Sequence, residues 1–556
     1  MTMHLPVKWT MADVKTRVSK NAGIPVRERR DMVSAITRLA SLTGKPLGQI
    51  PAELYDLADL LGTIQPIAAG IQPKTLANIK ANCLNAISRS GIIEGLPPTK
   101  LRVSKTPEWQ ALLKAIKTKS LRFSVSSIAN WGSRNGISPR DLDTEALDLC
   151  MAERRQTSFR CNQHRVHRQR GKDWNKVATQ FPRLGLKTVT VPASRRKYTR
   201  VPFATFSRGF RDDWADFSEH GRRDDLFADG ARDEALAEST LVTMLGHVHH
   251  AASILVQSGV PIESIWGLAD LVTPKSFERV LRELLKGGTA FNYYGHSVAR
   301  TLLQIAKWLG VDAEQMAELK RLARAPKRPR FGMTQKNKLL VRQINDPDRL
   351  KRLHSVPETL WRGVMSSRST SRLRLAKAQA ALGIGILLSM PIRLTNLTSL
   401  AFDEHLVLRV PGVSTLSLSE DETKNDYPLE FDIPPTLAKM MLEYRDVVCP
   451  AVMRQNPKYL FSNVDGTVKG FAGVRYLVQR YVKQHIGIHM NPHIFRHLAA
   501  DFILDKNPGA HVLVQHLLGH KKLATTAIFY AGADTRRAGR HHQALLEQAL
   551  EDRTQS

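Results

Sequence analysis

Cysteine is scarce in this chain of 556 residues. Cys83, Cys150, Cys161 and Cys449 are too few and too scattered for a disulfide framework, which points to a reducing compartment. Long apolar runs are also missing. The longest, "AALGIGILLSMPI", is broken at Pro391 and is too short to span a bilayer. The N-terminal "MTMHLPVKWTMADVKTRVSK" lacks the apolar centre of a signal peptide. The run "GIGILL" has no Lys-Ser/Thr after it, so no phosphate-binding loop of the Walker type is present. There is no acidic metal cluster either. A cytoplasmic protein, without membrane, cofactor or metal, is expected.

Acidic residues are in deficit. Lys plus Arg number 82 against 51 Asp plus Glu, a formal net charge of +31. Such an excess repels itself unless a polyanion neutralises it, and each neutralised phosphate releases counterions. The charge is also clustered, so nucleic acid is the expected partner and a nucleoid-associated location follows. Hydrophobic residues make up 42%, enough for ordinary cores, and the length calls for several domains.

Helical periodicity dominates. Residues 1–100 read as a helical domain, with "RERRDMVSAITRLASLTG" and "KTLANIKANCLNAISRSG" stopping at Gly44 and Gly91. Residues 101–190 read as a second, DNA-binding-like helical domain, in which Asp143 is placed to cap a helix. A charged, proline-bearing connector is expected over 191–231, a third helical domain over 232–325, and a basic linker over 326–345. Residues 346–556 form the last domain. It opens with helices, passes through strand-like "HLVLRV", "STLSLSE" and "YPLEFDI", and returns to helices. The fold class expected is mainly α and multidomain, with a C-terminal α+β domain carrying a small antiparallel sheet.

Four signals in that last domain carry chemistry. "PIRLTNLTSL" places Arg393 after an apolar helix; alone, such an arginine usually pairs or snorkels. "SEDETKNDYPLEFDIP" places Lys424 among turn formers between two strands, where a lysine is ordinarily solvated but can also reach a phosphate and donate a proton. "NPHIFRHLAADF" puts His493 and Arg496 on one helical face. "HLLGHKKLATTAIFY" ends a helix at Gly519, follows it with His520, and runs on to Tyr530.

The order Arg, Lys, H-x-x-R, "LLGH", Tyr within one domain resembles the tyrosine recombinase (phage integrase) family, specifically over about 380–545 and more loosely over about 235–325 as a core-binding domain. The resemblance implies that Arg393 and Arg496 hold the non-bridging oxygens of one DNA phosphate and that His520 adds a donor. His493 would be base or hydrogen-bond partner, Lys424 would protonate the departing 5′ oxygen, and Tyr530 would attack phosphorus to give a 3′-phosphotyrosine. It further implies double-stranded DNA as partner and a homo-tetramer on paired sites. It leaves open a partner recombinase or a DNA-bending accessory protein, and the choice among integration, excision and resolution of a mobile element. Two positions depart from the family pattern. Asn396 stands where an acidic residue is usual, and Phe529 stands nine residues after His520, where the tyrosine is usual. These departures support the rival reading, a catalytically inactive DNA-binding protein of the same fold. A type IB topoisomerase would share the chemistry but need no paired sites.

Other clusters are set aside. Cys150, Cys161, His164 and His167 do not match common zinc spacings. His247, His249 and His250 cannot share one helical face and are read as packing or surface residues. The terminal "RRAGRHHQALLEQALEDR" reads as a helix that packs on its own domain or on a neighbouring protomer.

Overall fold

The structure, a computed structural model, describes residues 9–92, 104–157, 162–193, 200–222, 235–286, 292–327, 332–524, 526–527, 538–539, 542–548 and 550. Residues 1–193 together with 332–556 make one compact unit, and 194–331 make another.

The N-terminal part of the first unit begins with α1 (Met11–Lys20), α2 (Val26–Thr43), α3 (Leu54–Thr63) and α4 (Pro73–Ser90). Their apolar faces meet around Met11, Ile36, Leu39, Leu57 and Ile87. As the sequence predicts, α2 and α4 stop at Gly44 and Gly91, both left-handed, a conformation cheap only for glycine. A separate core around Trp109, Ile128 and Trp174 is built by α5 (Pro107–Ala115), α6 (Lys119–Arg134), α7 (Thr144–Thr157) and α8 (Gln163–Gln180). Asp143 caps α7, its carboxylate accepting from the Ala146 N–H at 2.9 Å.

The second unit packs α9 (Arg208–Arg222), α10 (Glu238–Gln257), α11 (Pro274–Leu285), α12 (Tyr293–Trp308) and α13 (Ala313–Leu322) around one core. Here the expected connector is corrected. Phe206, Phe210 and Phe217 are buried in this core, so much of 191–231 is integral to it. Phe210 and Phe217 lie seven residues apart on one face of α9, Phe206 packs just before the helix, and their burial outweighs the charges between them. His247 is packed inside, its Nδ1 2.8 Å from the Thr301 hydroxyl, while His249 and His250 reach the Val201 carbonyl and the Tyr294 hydroxyl.

The C-terminal part of the first unit holds α14 (Gln335–Ile344), α15 (Pro347–Met365), α16 (Arg372–Ser389), α17 (Leu394–Ser399) and α18 (Phe402–His405). The sheet follows: β1 (Leu406–Val407), β2 (Ser414–Leu418) and β3 (Leu429–Ile433). Then come α19 (Pro435–Glu443), α20 (Cys449–Met453), α21 (Phe471–Ile486), α22 (His493–Lys506) and α23 (His511–Leu518). The expected basic linker is corrected too, because α14 lies within it and buries Val341 and Ile344 in the domain core. The apolar α16 is buried nearly all round and forms the centre of that core. The sheet is antiparallel in the order β1-β2-β3, with Leu416 opposite Phe431 in the β2–β3 hairpin. The architecture is thus mainly helical with one small antiparallel sheet. Among the described residues no helix is long and apolar enough to cross a membrane.

Candidate active site

The apolar α16 ends at Ser389, and Met390 and Ile392 stay buried on either side of Pro391. Proline cannot extend the helix, so the chain turns and presents Arg393 at the first position before α17. Arg393 is half-buried, and burial lowers its pKa from the ordinary arginine value, although a guanidinium stays charged. Its buried Nη1 has no hydrogen-bond acceptor among the described residues.

Helix α22 supplies the opposite wall. His493 opens it, and one turn on Arg496 is buried at 3% exposure. Arg496 Nη1 donates to the Pro391 carbonyl at 2.6 Å and Nη2 to the Leu518 carbonyl at 2.6 Å. One guanidinium therefore pins the Arg393 corner to the end of α23. There Gly519 takes the left-handed conformation, φ 56°, and turns His520 inward. His520 Nε2 lies 3.5 Å from Arg496 Nη2, and its Nδ1 lies 2.8 Å from the Thr526 hydroxyl.

The electrostatics follow from that crowding. Burial and the fields of Arg496, Arg393 and His493 hold the His520 pKa down to about 4. His493 is exposed at the helix start, yet its ring sits in a recess. Burial first, then Arg496 and Arg393, lower its proton affinity. Around neutral pH the recess therefore carries two guanidinium charges and neutral imidazoles, and among the described residues no carboxylate pairs with Arg393. Such a recess is built for a tetrahedral oxyanion.

His497 was missed by the sequence reading. It is buried, its ring meets that of His493 edge-on at 4.7 Å, and burial with His493, Arg496 and His520 lowers its pKa to about 3. The signal was available: His497 stands four residues after His493, the other spacing that shares a helical face.

Lys424 is exposed in the turn of the β2–β3 hairpin and has no partner among the described residues. Its turn, not its ammonium, is what the structure brings to the recess. The Asn425 amide donates to the Gly519 carbonyl at 2.7 Å, next to His520. The Tyr427 hydroxyl and His516 Nδ1 lie 2.9 Å apart. Asn396, on α17 and 3% exposed, donates its amide to the Glu422 carbonyl at 2.8 Å. A carboxylate at 396 could not make that bond. Arg393, His493, Arg496 and His520 thus share one recess, with Lys424 on an adjoining turn. Tyr530 and Phe529 lie outside the described residues, as does most of the segment after them.

No family model matches the chain. Over 137 residues it is 31% identical to the tyrosine recombinase XerC of Staphylococcus carnosus, a match covering 24% of this chain and 43% of that protein. Over 77 residues it is 39% identical to XerC of Corynebacterium glutamicum, covering 14% of this chain and 25% of that protein. The chain is related to the tyrosine recombinases. It spans less than half the length of the curated tyrosine recombinases it matches. Among solved structures it is similar to XerA recombinase, with a TM-score of 0.26 and 16% identity over 60% of this chain and 96% of that one. A lambda integrase dimer bound to a COC' core site gives 0.34 and 14% over 57% and 93%. At these scores the kinship to tyrosine recombinases rests on the sequence matches.

Proposed function

We propose that this chain is a site-specific DNA recombinase that cuts and rejoins strands through a 3′-phosphotyrosyl intermediate. The observation that carries the reading is the convergence of Arg393, Arg496, His493 and His520 on one cationic recess, with a buried Arg393 N–H awaiting an acceptor. A buried guanidinium N–H without an acceptor is costly, and a phosphate oxygen satisfies it.

In this mechanism Arg393 and Arg496 hold the non-bridging oxygens of one backbone phosphate and stabilise the charge that grows there. His520 adds a donor, and the phosphate's charge offsets the guanidinium field that otherwise keeps the imidazole neutral. The Tyr530 oxygen attacks phosphorus while the phenol proton passes to His493. The P–O5′ bond breaks, and the 5′ oxygen takes its proton from Lys424. The bond energy is kept in the phosphotyrosine, so the 5′ hydroxyl of another strand reverses the step. The partner is double-stranded DNA, to which a net charge of +31 is suited, and the working assembly is a homo-tetramer on two sites of a mobile element.

The test is covalent trapping. Nicked duplexes selected from a random-sequence pool should yield a protein–DNA adduct that survives detergent, and Tyr530→Phe should abolish it. If no duplex in the pool traps the wild-type chain, it is a DNA-binding protein and not a recombinase. If one unpaired site is relaxed and rejoined as fast as two, the activity is that of a topoisomerase.

A further inference from the structure

Lys424 sits on a turn whose interior is closed by its own bonds. The Thr423 hydroxyl accepts from the Tyr427 N–H at 2.9 Å and donates to the Tyr427 carbonyl at 2.8 Å. The Glu422 carboxylate accepts from the Ser419 N–H at 2.9 Å and the Ser419 hydroxyl at 2.7 Å, and it faces His405 Nε2 at 2.5 Å. His405 Nδ1 accepts from the Ala401 N–H at 3.0 Å, so Nε2 carries the proton and donates to Glu422. The turn therefore moves as a body, and what matters for Lys424 is where that body is moored.

Two side-chain amides moor it to the recess. Asn396 Nδ2 holds the Glu422 carbonyl at 2.8 Å from a position three residues after Arg393. Asn425 Nδ2 holds the Gly519 carbonyl at 2.7 Å, one residue before His520. Both acceptors are backbone carbonyls, so each amide must present its nitrogen, and neither can be replaced by a carboxylate. The turn also meets α23 through the Tyr427 hydroxyl, 2.9 Å from His516 Nδ1, whereas the Lys521 contact with Asp426 at 3.3 Å is between exposed charges and contributes little.

We infer that Asn396 and Asn425 form an amide clamp that positions the Lys424 turn against the two arginines and His520, making them positioning residues for the proton donor. The inference rests on the assignment of Lys424 as the acid in the proposed mechanism. It also gives Asn396 a reason of its own, because in this chain that position must donate a hydrogen bond. A lysine on a four-carbon stem reaches many places, and mooring its backbone on both sides limits them.

A leaving-group substitution separates positioning of the acid from general damage. A duplex captured by wild-type trapping is rebuilt with either oxygen or sulfur at the 5′ bridging position of the scissile phosphate. A thiolate leaves without being protonated, because thiols are far more acidic than alcohols. On the oxygen duplex, Asn425→Ala and Asn396→Asp should form adduct roughly 10- to 100-fold more slowly than wild type, as should Lys424→Ala. On the sulfur duplex all three should come within a few-fold of wild type, which also shows that the variants fold. Equal deficits on both duplexes for the asparagine variants, or no deficit on oxygen, would overturn the clamp. Failure of sulfur to rescue Lys424→Ala would instead overturn the acid assignment, and a wild type that forms no adduct would overturn the recombinase reading itself.

Discussion

Arg496 reaches His520 across the recess, Nη2 to Nε2 at 3.5 Å, while the same guanidinium donates to the carbonyls of Pro391 and Leu518 at 2.6 Å each. One side chain thus joins three chain segments that are far apart in sequence, and it does so with a rigid planar fork.

Arg496→Lys should therefore be severe. Lysine has one nitrogen where the guanidinium uses two, Nη1 for Pro391 and Nη2 for Leu518, and a buried carbonyl left without its donor costs about 1–3 kcal/mol. The adduct rate should fall about 10²-fold or more, because the charge facing the phosphate loses its fixed geometry. Chemical unfolding of the free protein and trapping kinetics read the two effects. A lysine variant within a few-fold of wild type in rate would remove Arg496 from the chemistry.

The buried imidazoles make stability depend on pH. His497 and His520 are held near 3 and 4 in the folded chain, below the usual histidine value of 6.5. The unfolded chain therefore binds more protons below that value. The stability contributed by these residues is whole above about pH 6.5 and is lost as pH falls toward 4. The slope is at most about 1.4 kcal/mol per pH unit for each fully buried imidazole, and less for the more open His520. Denaturant midpoints between pH 7 and 5 should fall for wild type and fall less steeply for His497→Gln. Carboxylates titrate mainly below this window. A midpoint independent of pH across it would show that these histidines are not held neutral by the fold.

Gly132 tests the packing of the second helical core. A Cβ there would lie 2.9 Å from both the Ile137 carbonyl oxygen and Trp109 Nε1, which are themselves hydrogen-bonded at 2.8 Å. Replacing glycine by alanine inside a helix ordinarily gains up to about 1 kcal/mol, but here overpacking against backbone and a buried indole should cost about 1–3 kcal/mol. Gly246→Ala is the control, since a Cβ there would meet only the Arg200 guanidinium, at 3.8 and 3.9 Å, an ordinary van der Waals separation. Thermal unfolding should show the first variant destabilised and the second unchanged or improved. Destabilisation of both by the same amount would contradict the packing described around Trp109.

Local chemistry was legible in the sequence wherever it acts within a few residues. Gly44, Gly91 and Gly519 end helices because each must turn left-handed, Asp143 caps a helix through its own carboxylate, and Pro391 stops α16. The alternation of apolar residues marks the β2–β3 hairpin. The connector and linker were misread for a related reason: charged residues mask an apolar stripe, and whether Phe217 or Ile344 is buried depends on a neighbouring surface that no local pattern contains. The tertiary structure alone decided that Arg393, Arg496 and His520 share a recess, that His497 joins them, and that Asn396 grips the Glu422 carbonyl while Asn425 grips that of Gly519. Those relationships cross more than a hundred residues from α16 to α23. They are fixed by the packing of helices on one core and by burial, which a one-dimensional spacing does not encode.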